Sequence, residues 1–205
     1  KKQRDRLIRL AEQNEGWTVG FLDEVWWSRF SQPEMHAWAP SGEPFRLIER
    51  EADSDEEAPK ALACYGVYLP EATMPESDML LRFVEGRPVS DVTTTFLEWV
   101  CQQLESRGTD IWVLIWDQAS WHTSHKVQNW IREHNERVKN KGGVRILACQ
   151  LPSKSPWLNP IEPKWLHGKR AICEPDGTLS PEDVVERVHA YYECSRVEPI
   201  PKETD

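Results

Sequence analysis

The most informative segment of this chain is Ile111-Trp112-Val113-Leu114-Ile115-Trp116-Asp117. Six consecutive apolar residues end at a carboxylate. A short, uninterrupted apolar run is typical of a strand that other elements cover on both faces. Because a charge beside a buried strand needs a partner, Asp117 is also the first candidate functional residue.

Predicted elements continue on both sides of this segment. Upstream, β-rich composition predicts strands at 17–27, 35–39, 61–69 and 79–84, and a helix runs from near Ser90 to Leu104. Downstream, helical spacing at 127–138, a strand at 144–151, a proline-rich loop at 152–163 and helices from about 160 and over 180–192 follow. This order predicts an α/β fold, a mixed sheet flanked by helices, and the ribonuclease H-like architecture is one such fold.

Composition limits the class of protein. A chain of 205 residues suits one domain, and 39% hydrophobic with 29% charged residues is typical of a soluble globular protein. Eleven Trp argue against overall disorder, and no apolar run approaches the ~18 residues of a membrane span. Five widely spaced cysteines without a Cys-x-x-Cys pair favour a reducing cytosol.

Charge is unevenly distributed along the chain. The net charge is −9, but residues 121–170 contain ten basic and three acidic residues. Phosphate contacts are local, so this basic block favours nucleic-acid binding more than the net charge does. The alternative is that these basic residues form a solvated helix face. Charge alone favours this alternative over nucleic-acid binding.

Three carboxylates occupy special positions. Asp23 lies within the first predicted strand, Asp117 follows the buried strand, and Glu162 begins the helix after the proline-rich loop. Clustered carboxylates repel, and divalent cations remove that cost. Mg²⁺ prefers such hard oxygen ligands, and two ions roughly 4 Å apart suit phosphodiester chemistry.

Each acid also has a simpler interpretation. Asp23 and Glu24 fit a turn or a sheet edge, and strand alternation points them to opposite faces, so only one can join a cluster. Asp117 fits a helix cap. Glu162 lies three residues after Asn159, the capping-box position. Local sequence leaves both interpretations of Glu162 open.

Three segments resemble the motifs of DDE-type transposases, in particular the mariner-like superfamily and its bacterial insertion-sequence relatives. Residues 151–165 resemble the third motif, in which Ser-Pro precedes Leu-Asn-Pro-Ile-Glu and a Trp follows three residues later. Residues 114–122 resemble the second motif, although Gln118 stands where Asn is common. Residues 22–27 resemble the first motif, an Asp-Glu pair followed by an aromatic residue.

The resemblance implies a ribonuclease H-like catalytic domain. Asp23, Asp117 and Glu162 would be its catalytic residues and the ligands of two Mg²⁺ ions, for which Mn²⁺ can substitute. The implied activity is DNA cleavage at transposon ends and transfer of the freed 3′-OH into target DNA. A homodimer acting on DNA, with no membrane partner, in the bacterial cytoplasm or nucleoid is also implied.

The resemblance also implies a domain division. Residues 1–15 would be a linker helix from an upstream DNA-binding region, 16–195 the catalytic domain and 196–205 a C-terminal tail. Two other interpretations stay open: a domesticated or inactive relative that serves as a DNA-binding or scaffold protein, and a ribonuclease H-type nuclease without strand transfer.

Several residues near the acids are candidates for DNA contact. For His122, contact with a phosphate or with the attacking water and a structural hydrogen bond are equally open. Trp121 and Trp157 either stack on bases or, as is more common for Trp, pack beneath the loop. The candidate phosphate contacts are Lys154, Lys164, Lys169 and Arg170.

Overall fold

One mixed five-stranded sheet organises the protein. The computed structural model describes residues 2–30, 58–71, 77–153, 155–172 and 178–202. The strands are β1 (Trp17–Ser28), β2 (Ala61–Tyr68), β3 (Met79–Val84), β4 (Ile111–Trp116) and β5 (Arg145–Gln150). Their order in the sheet is β3-β2-β1-β4-β5. β1 to β3 pair antiparallel, whereas β4 is parallel to both β1 and β5.

Helices cover both faces of the sheet. They are α1 (Lys2–Glu12), α2 (Ser90–Ser106), α3 (Ser120–Thr123), α4 (His125–Lys141), α5 (Ile161–Ile172) and α6 (Pro181–Tyr191), and a 3-10 turn spans Pro156–Leu158. The predicted α/β architecture of a helix-flanked mixed sheet is confirmed. The predicted strand at 35–39 lies outside the described residues.

The central strand β4 contributes to two separate hydrophobic cores. Val113 and Ile115 face the core beneath α1, α5 and α6. Trp112, Leu114 and Trp116 face the core beneath α2 and α4. All five side chains are at most 1% exposed, which confirms that the apolar run is covered on both faces.

The register of β1 against β4 brings two candidate acids together. Phe21 pairs with Ile115 in the parallel ladder, an offset of 94 positions. Asp23 and Asp117 have the same offset, two residues beyond this last paired position, where Asp23 is still in β1 and Asp117 directly follows β4. Continued two-residue alternation would direct both side chains to the same face of the sheet, which agrees with the cavity that both acids line.

Both ends of the described chain pack on the sheet. Ala11 of α1 is buried, and Leu7 and Ile8 pack against the same core. At the other end, Ile200 is buried and exchanges backbone hydrogen bonds with the β3 edge, at Phe83 and Glu85. The packed unit therefore extends beyond the predicted 16–195 limits, because apolar residues in both terminal segments complete the cores. A connection from residues 1–15 to an upstream DNA-binding region stays a prediction.

No described helix is both long enough and apolar enough to cross a bilayer.

Candidate active site

The three candidate acids line one cavity at the end of β4. Asp23 comes from the middle of β1, Asp117 directly follows β4, and Glu162 lies in the first turn of α5. The cavity has a volume of about 270 Å³, and the proline-rich loop forms its other wall. Its remaining lining residues are Gln118, Ala119, Leu151, Pro152, Ser153, Ser155, Pro156 and Asn159.

Asp23 is an acid in an unfavourable electrostatic environment. Burial, followed by the nearby charges of Glu24 and Glu162, raises its pKa to about 8. One carboxylate oxygen, Oδ2, accepts a hydrogen bond of 3.1 Å from Trp165 Nε1. Trp165 therefore fixes the orientation of Asp23, a role that its apolar sequence context did not reveal.

Asp117 has the opposite electrostatic environment. Its Oδ1 accepts hydrogen bonds from His122 Nδ1 at 2.7 Å and from the Ala119 backbone N–H at 2.9 Å. The hydrogen bond from His122 is the main reason that the pKa of Asp117 lies below its usual value. Asp117 thus caps the turn that follows β4 while its side chain, about half exposed, lines the cavity.

Glu162 directs its carboxylate into the cavity rather than into a capping box. Its backbone N–H bonds to Asn159 O, but its side chain makes no hydrogen bond with any described residue. Burial and the charge of Asp117 raise its pKa, and Lys169 partly offsets this. Asn159 does not act as a side-chain helix cap. Instead its Nδ2 donates a hydrogen bond to Leu22 O of β1.

The proline-rich loop is tied to the sheet on several sides. Asn159 anchors it to β1, and Arg4 of α1 donates to Leu158 O at 2.8 Å. Gln118 donates to Leu151 O and accepts from Ser153 Oγ. The longer amide at position 118 therefore joins the end of β4 to the loop that carries Glu162.

His122 is a buried link between two carboxylates. Its Nδ1 bonds Asp117 and its Nε2 bonds Glu24 Oε1, each at 2.7 Å, and the side chain is fully buried. Burial by itself lowers the pKa of His122, but the two hydrogen bonds outweigh it and raise the pKa to about 9. The predicted phosphate contact does not fit this position, since both ring nitrogens already bind carboxylates. The structural hydrogen bond is the alternative that the geometry favours.

The predicted basic contacts lie in different surroundings. Lys169 is close enough to Glu162 to lower its pKa, and Arg170 is exposed beside it. Lys164 lies on another side of α5, where it pairs with Asp78 and lies 4.4 Å from the centre of the Tyr68 ring. Lys154 lies outside the described residues.

The two tryptophans near the acids differ in their solvent exposure. Trp121 is partly buried and donates from Nε1 to Glu24 Oε1 at 3.2 Å. Trp157 is 76% exposed, although its neighbours Pro156 and Leu158 line the cavity and the core. Packing beneath the loop therefore does not describe Trp157, which is free to contact a ligand.

The donor set of the cavity fits a hard divalent cation. Carboxylates are the ligands that Mg²⁺ prefers. Asn159 Oδ1, a further oxygen that could bind a cation, is buried and has no hydrogen-bond partner among the described residues. Among the described residues, no three His, Cys, Asp or Glu side chains already meet at the spacing of a metal site. The cavity brings the acids together, and their role as metal ligands stays a prediction.

Comparison with known proteins gives one family. The profile of the DDE superfamily endonucleases matches residues 18–177. No curated protein matches the sequence.

Solved structures of Mos1 transposase are similar in fold. The Mos1 transposase paired-end complex with left transposon end aligns with a TM-score of 0.62 at 15% identity, covering 94% of this chain and 53% of that chain. The Mos1 mariner paired end complex with Mn gives 0.60 at 15% identity, with the same coverage. The catalytic domain of Mos1 mariner transposase gives 0.57 at 12% identity, covering 94% and 78%. The chain thus spans about half the length of the transposase in the complexes, and its fold is ribonuclease H-like, as predicted.

Proposed function

Because this chain belongs to the DDE superfamily endonucleases, we propose that it is the catalytic domain of a transposase that cleaves DNA at transposon ends and transfers the freed 3′-OH into target DNA. The observation that carries the proposal is the cavity lined by Asp23, Asp117 and Glu162, which come from three separate elements. Hydrolysis and strand transfer need the same site, since a DNA 3′-OH replaces water as the attacking group.

The three acids would hold two divalent ions, Mg²⁺ or Mn²⁺. When bound, these ions would supply activation of the attacking oxygen and stabilisation of the leaving 3′-oxygen. The protein contributes the orientation of the acids: Trp165 holds one oxygen of Asp23, and His122 holds one oxygen of Asp117. Solved structures of Mos1 complexes with Mn and with Mg support this choice of cation.

The proposed partner is DNA, and the proposed assembly is a homodimer. Several of the similar Mos1 structures are complexes with transposon ends. In this chain, Lys169, Arg170 and the exposed Trp157 lie on the elements that carry or precede Glu162. They would provide positive charge and an aromatic face for a phosphate backbone and its bases.

The test is a cleavage and strand-transfer assay with the protein, its own transposon ends and Mg²⁺ or Mn²⁺. Glu162→Gln should lower both activities by orders of magnitude, since the amide removes a charge from the cavity. It should not lower the free energy of unfolding appreciably, because the Glu162 side chain makes no hydrogen bond with any described residue and is not a helix cap. Glu133→Gln, on exposed α4 surface, is the matched control and should leave activity unchanged.

The outcomes of this assay distinguish the transposase from the two alternative functions. Cleavage and joining that both disappear in EDTA and in Glu162→Gln support the transposase. Cleavage without joining points to a nuclease without strand transfer. Full activity of Glu162→Gln, or DNA binding with no metal-dependent cleavage by the unaltered protein, would contradict the proposal.

A further inference from the structure

Behind the cavity, a chain of hydrogen bonds connects Asp117 to an acid that does not line the cavity. His122 Nδ1 bonds Asp117 Oδ1 and its Nε2 bonds Glu24 Oε1, both at 2.7 Å. The ring of His122 is stacked on Trp116, with centroids 4.5 Å apart and planes inclined by 19°. A fully buried ring that is packed and bonded at both nitrogens has a single orientation.

The far end of this chain is also fixed. Glu24 follows Asp23 in β1, so its side chain points to the opposite face of the sheet. There it is 8% exposed, and Trp121 Nε1 donates to the same oxygen that His122 bonds. Glu24 therefore holds His122 from behind, on the face away from Asp23.

The held end is a carboxylate that would otherwise be free to rotate. Asp117 directly follows β4, and its side chain is 54% exposed. The hydrogen bonds from His122 and from the Ala119 backbone engage Oδ1. Oδ2 accepts no hydrogen bond from the described residues and is left for a ligand, in a fixed direction. Groups that orient a metal ligand in this way commonly change metal affinity 10- to 100-fold when they are removed.

We propose that Glu24 and His122 are positioning residues, which act through Asp117 to set the affinity of the cavity for divalent cations. This inference rests on the proposed function, because it takes Asp117 as a metal ligand. It gives a functional role to an acid that strand alternation excludes from the cavity.

The test measures Mn²⁺ binding to the purified protein directly, by calorimetry or by electron paramagnetic resonance of free Mn²⁺. Glu24→Leu and His122→Leu should each weaken Mn²⁺ binding by about 10- to 100-fold. Glu24→Gln should recover most of the affinity, because the amide oxygen still accepts the hydrogen bond from Nε2. Trp121→Phe removes one hydrogen bond to Glu24 and should give a smaller loss.

His134 offers a matched control for the loss of a buried histidine. It is stacked on Trp130 with centroids 5.0 Å apart and bonds Val144 O at 2.8 Å, away from the cavity. His134→Leu should lower the thermal midpoint measured in EDTA, as His122→Leu does, without changing Mn²⁺ affinity. If both leucine variants at the proposed positions fail to fold, Trp121→Phe and Glu24→Gln still give the predicted order of affinities.

The outcomes separate this inference from the proposed function. If Asp23→Asn and Glu162→Gln abolish Mn²⁺ binding while Glu24→Leu and His122→Leu bind as tightly as His134→Leu, positioning is wrong and the metal site stands. Equal losses in Glu24→Gln and Glu24→Leu would also overturn positioning by the hydrogen bond. If the unaltered protein binds no Mn²⁺, both the inference and the proposed metal site fail.

Discussion

Asp23 illustrates how a functional residue can oppose folding. A carboxyl group in an unfolded chain has a pKa near 3.9. Burial, together with the charges of Glu24 and Glu162, raises the pKa of Asp23 in the folded protein to about 8. The unfolded chain therefore releases this proton at lower pH than the folded protein does. In the metal-free protein, the free energy of unfolding therefore falls as pH rises from about 4 towards 8, because the unfolded chain loses this proton before the folded protein does.

Asp23→Asn should consequently stabilise the metal-free protein at neutral and alkaline pH. The amide cannot ionise, and its oxygen still accepts the hydrogen bond from Trp165 Nε1. We expect the free energy of unfolding at pH 8 to exceed that of the unaltered protein by about 1–4 kcal/mol, with little difference near pH 4. Urea denaturation in EDTA at several pH values measures this, while transposition activity should be lost.

Asp110→Asn provides the comparison, because Asp110 is an exposed acid just before β4. This substitution removes a carboxylate without relieving a buried group, so it should not give the stabilisation expected of Asp23→Asn at pH 8. Parallel pH profiles for Asp23→Asn and the unaltered protein would show that burial does not raise the pKa of Asp23 in the folded protein.

At this scale, the sequence predicted which acids meet but not what holds them. The offset of 94 between Asp23 and Asp117 equals the offset of the β1–β4 ladder, so strand pattern and motif spacing agree. The link from Glu24 through His122 could not be predicted, since alternation correctly places Glu24 on the other face. Only the packing of α3 against Trp116 brings His122 between them.

At the level of elements, a glycine in β2 allows α5 to approach the sheet. Gly66 pairs with Asp23 across the β1–β2 ladder, and the ring of Trp165 lies over it. A Cβ at Gly66 would lie 2.4 Å from Trp165 Cη2. The missing side chain therefore makes room for the ring whose Nε1 holds Asp23.

Gly66→Ala should displace Trp165 and destabilise the protein by about 1–3 kcal/mol, the usual cost of overpacking. Trp165→Phe leaves more space, so the two substitutions together should cost less than the sum of the single costs. A double-mutant cycle of unfolding free energies measures this coupling. Strictly additive changes in unfolding free energy would mean that residues 66 and 165 are not in direct contact.

The 3-10 turn before α5 presents Trp157 to solvent next to the cavity. Leu158 anchors this turn in the core and Trp157 is 76% exposed. If the side chain stacks on a base, Trp157→Ala should weaken DNA binding by about 1–3 kcal/mol, and Trp157→Phe should retain most of the affinity. Fluorescence anisotropy with labelled DNA measures both. Trp26→Ala, at another exposed tryptophan, is the control, and an equal loss there would contradict stacking at Trp157.

Helices and strands could be predicted where the apolar pattern lies within one segment. Contacts between segments that are far apart in the chain could not be predicted. The described strands and most helices follow from apolar patterns within each segment. The docking of α1 and of Ile200 was not predicted, because their partners, such as Leu158 for Arg4 and β3 for Ile200, lie far away in the chain. Both terminal segments are mostly charged, and their few apolar residues were not enough to predict that they pack on the cores.

Over the whole molecule, a net charge of −9 opposes DNA binding, so the position of the basic residues decides affinity. Two basic residues of α4 already pair with acids of α2. Lys126 contacts Asp91, and Arg137 lies 3.9 Å from Glu98. Lys169 and Arg170 lie in the last turn of α5, and Lys169 is close enough to Glu162 to lower its pKa. Among the described residues, neither forms an ion pair with an acid.

The salt dependence of DNA binding tests this division. Each duplex phosphate that a basic side chain neutralises adds about 0.9 to the steepness of log affinity against log salt. Replacing Lys169 and Arg170 together by Gln should weaken binding and lower the slope by about 2, one unit for each phosphate that is no longer neutralised. Replacing Lys139 and Lys141, both exposed in the last turn of α4, removes the same charge away from the cavity and should change the slope little. Equal losses of slope in both pairs would show that DNA binding depends on the overall positive charge rather than on Lys169 and Arg170. An unchanged slope in both pairs would show that the basic block is a solvated surface.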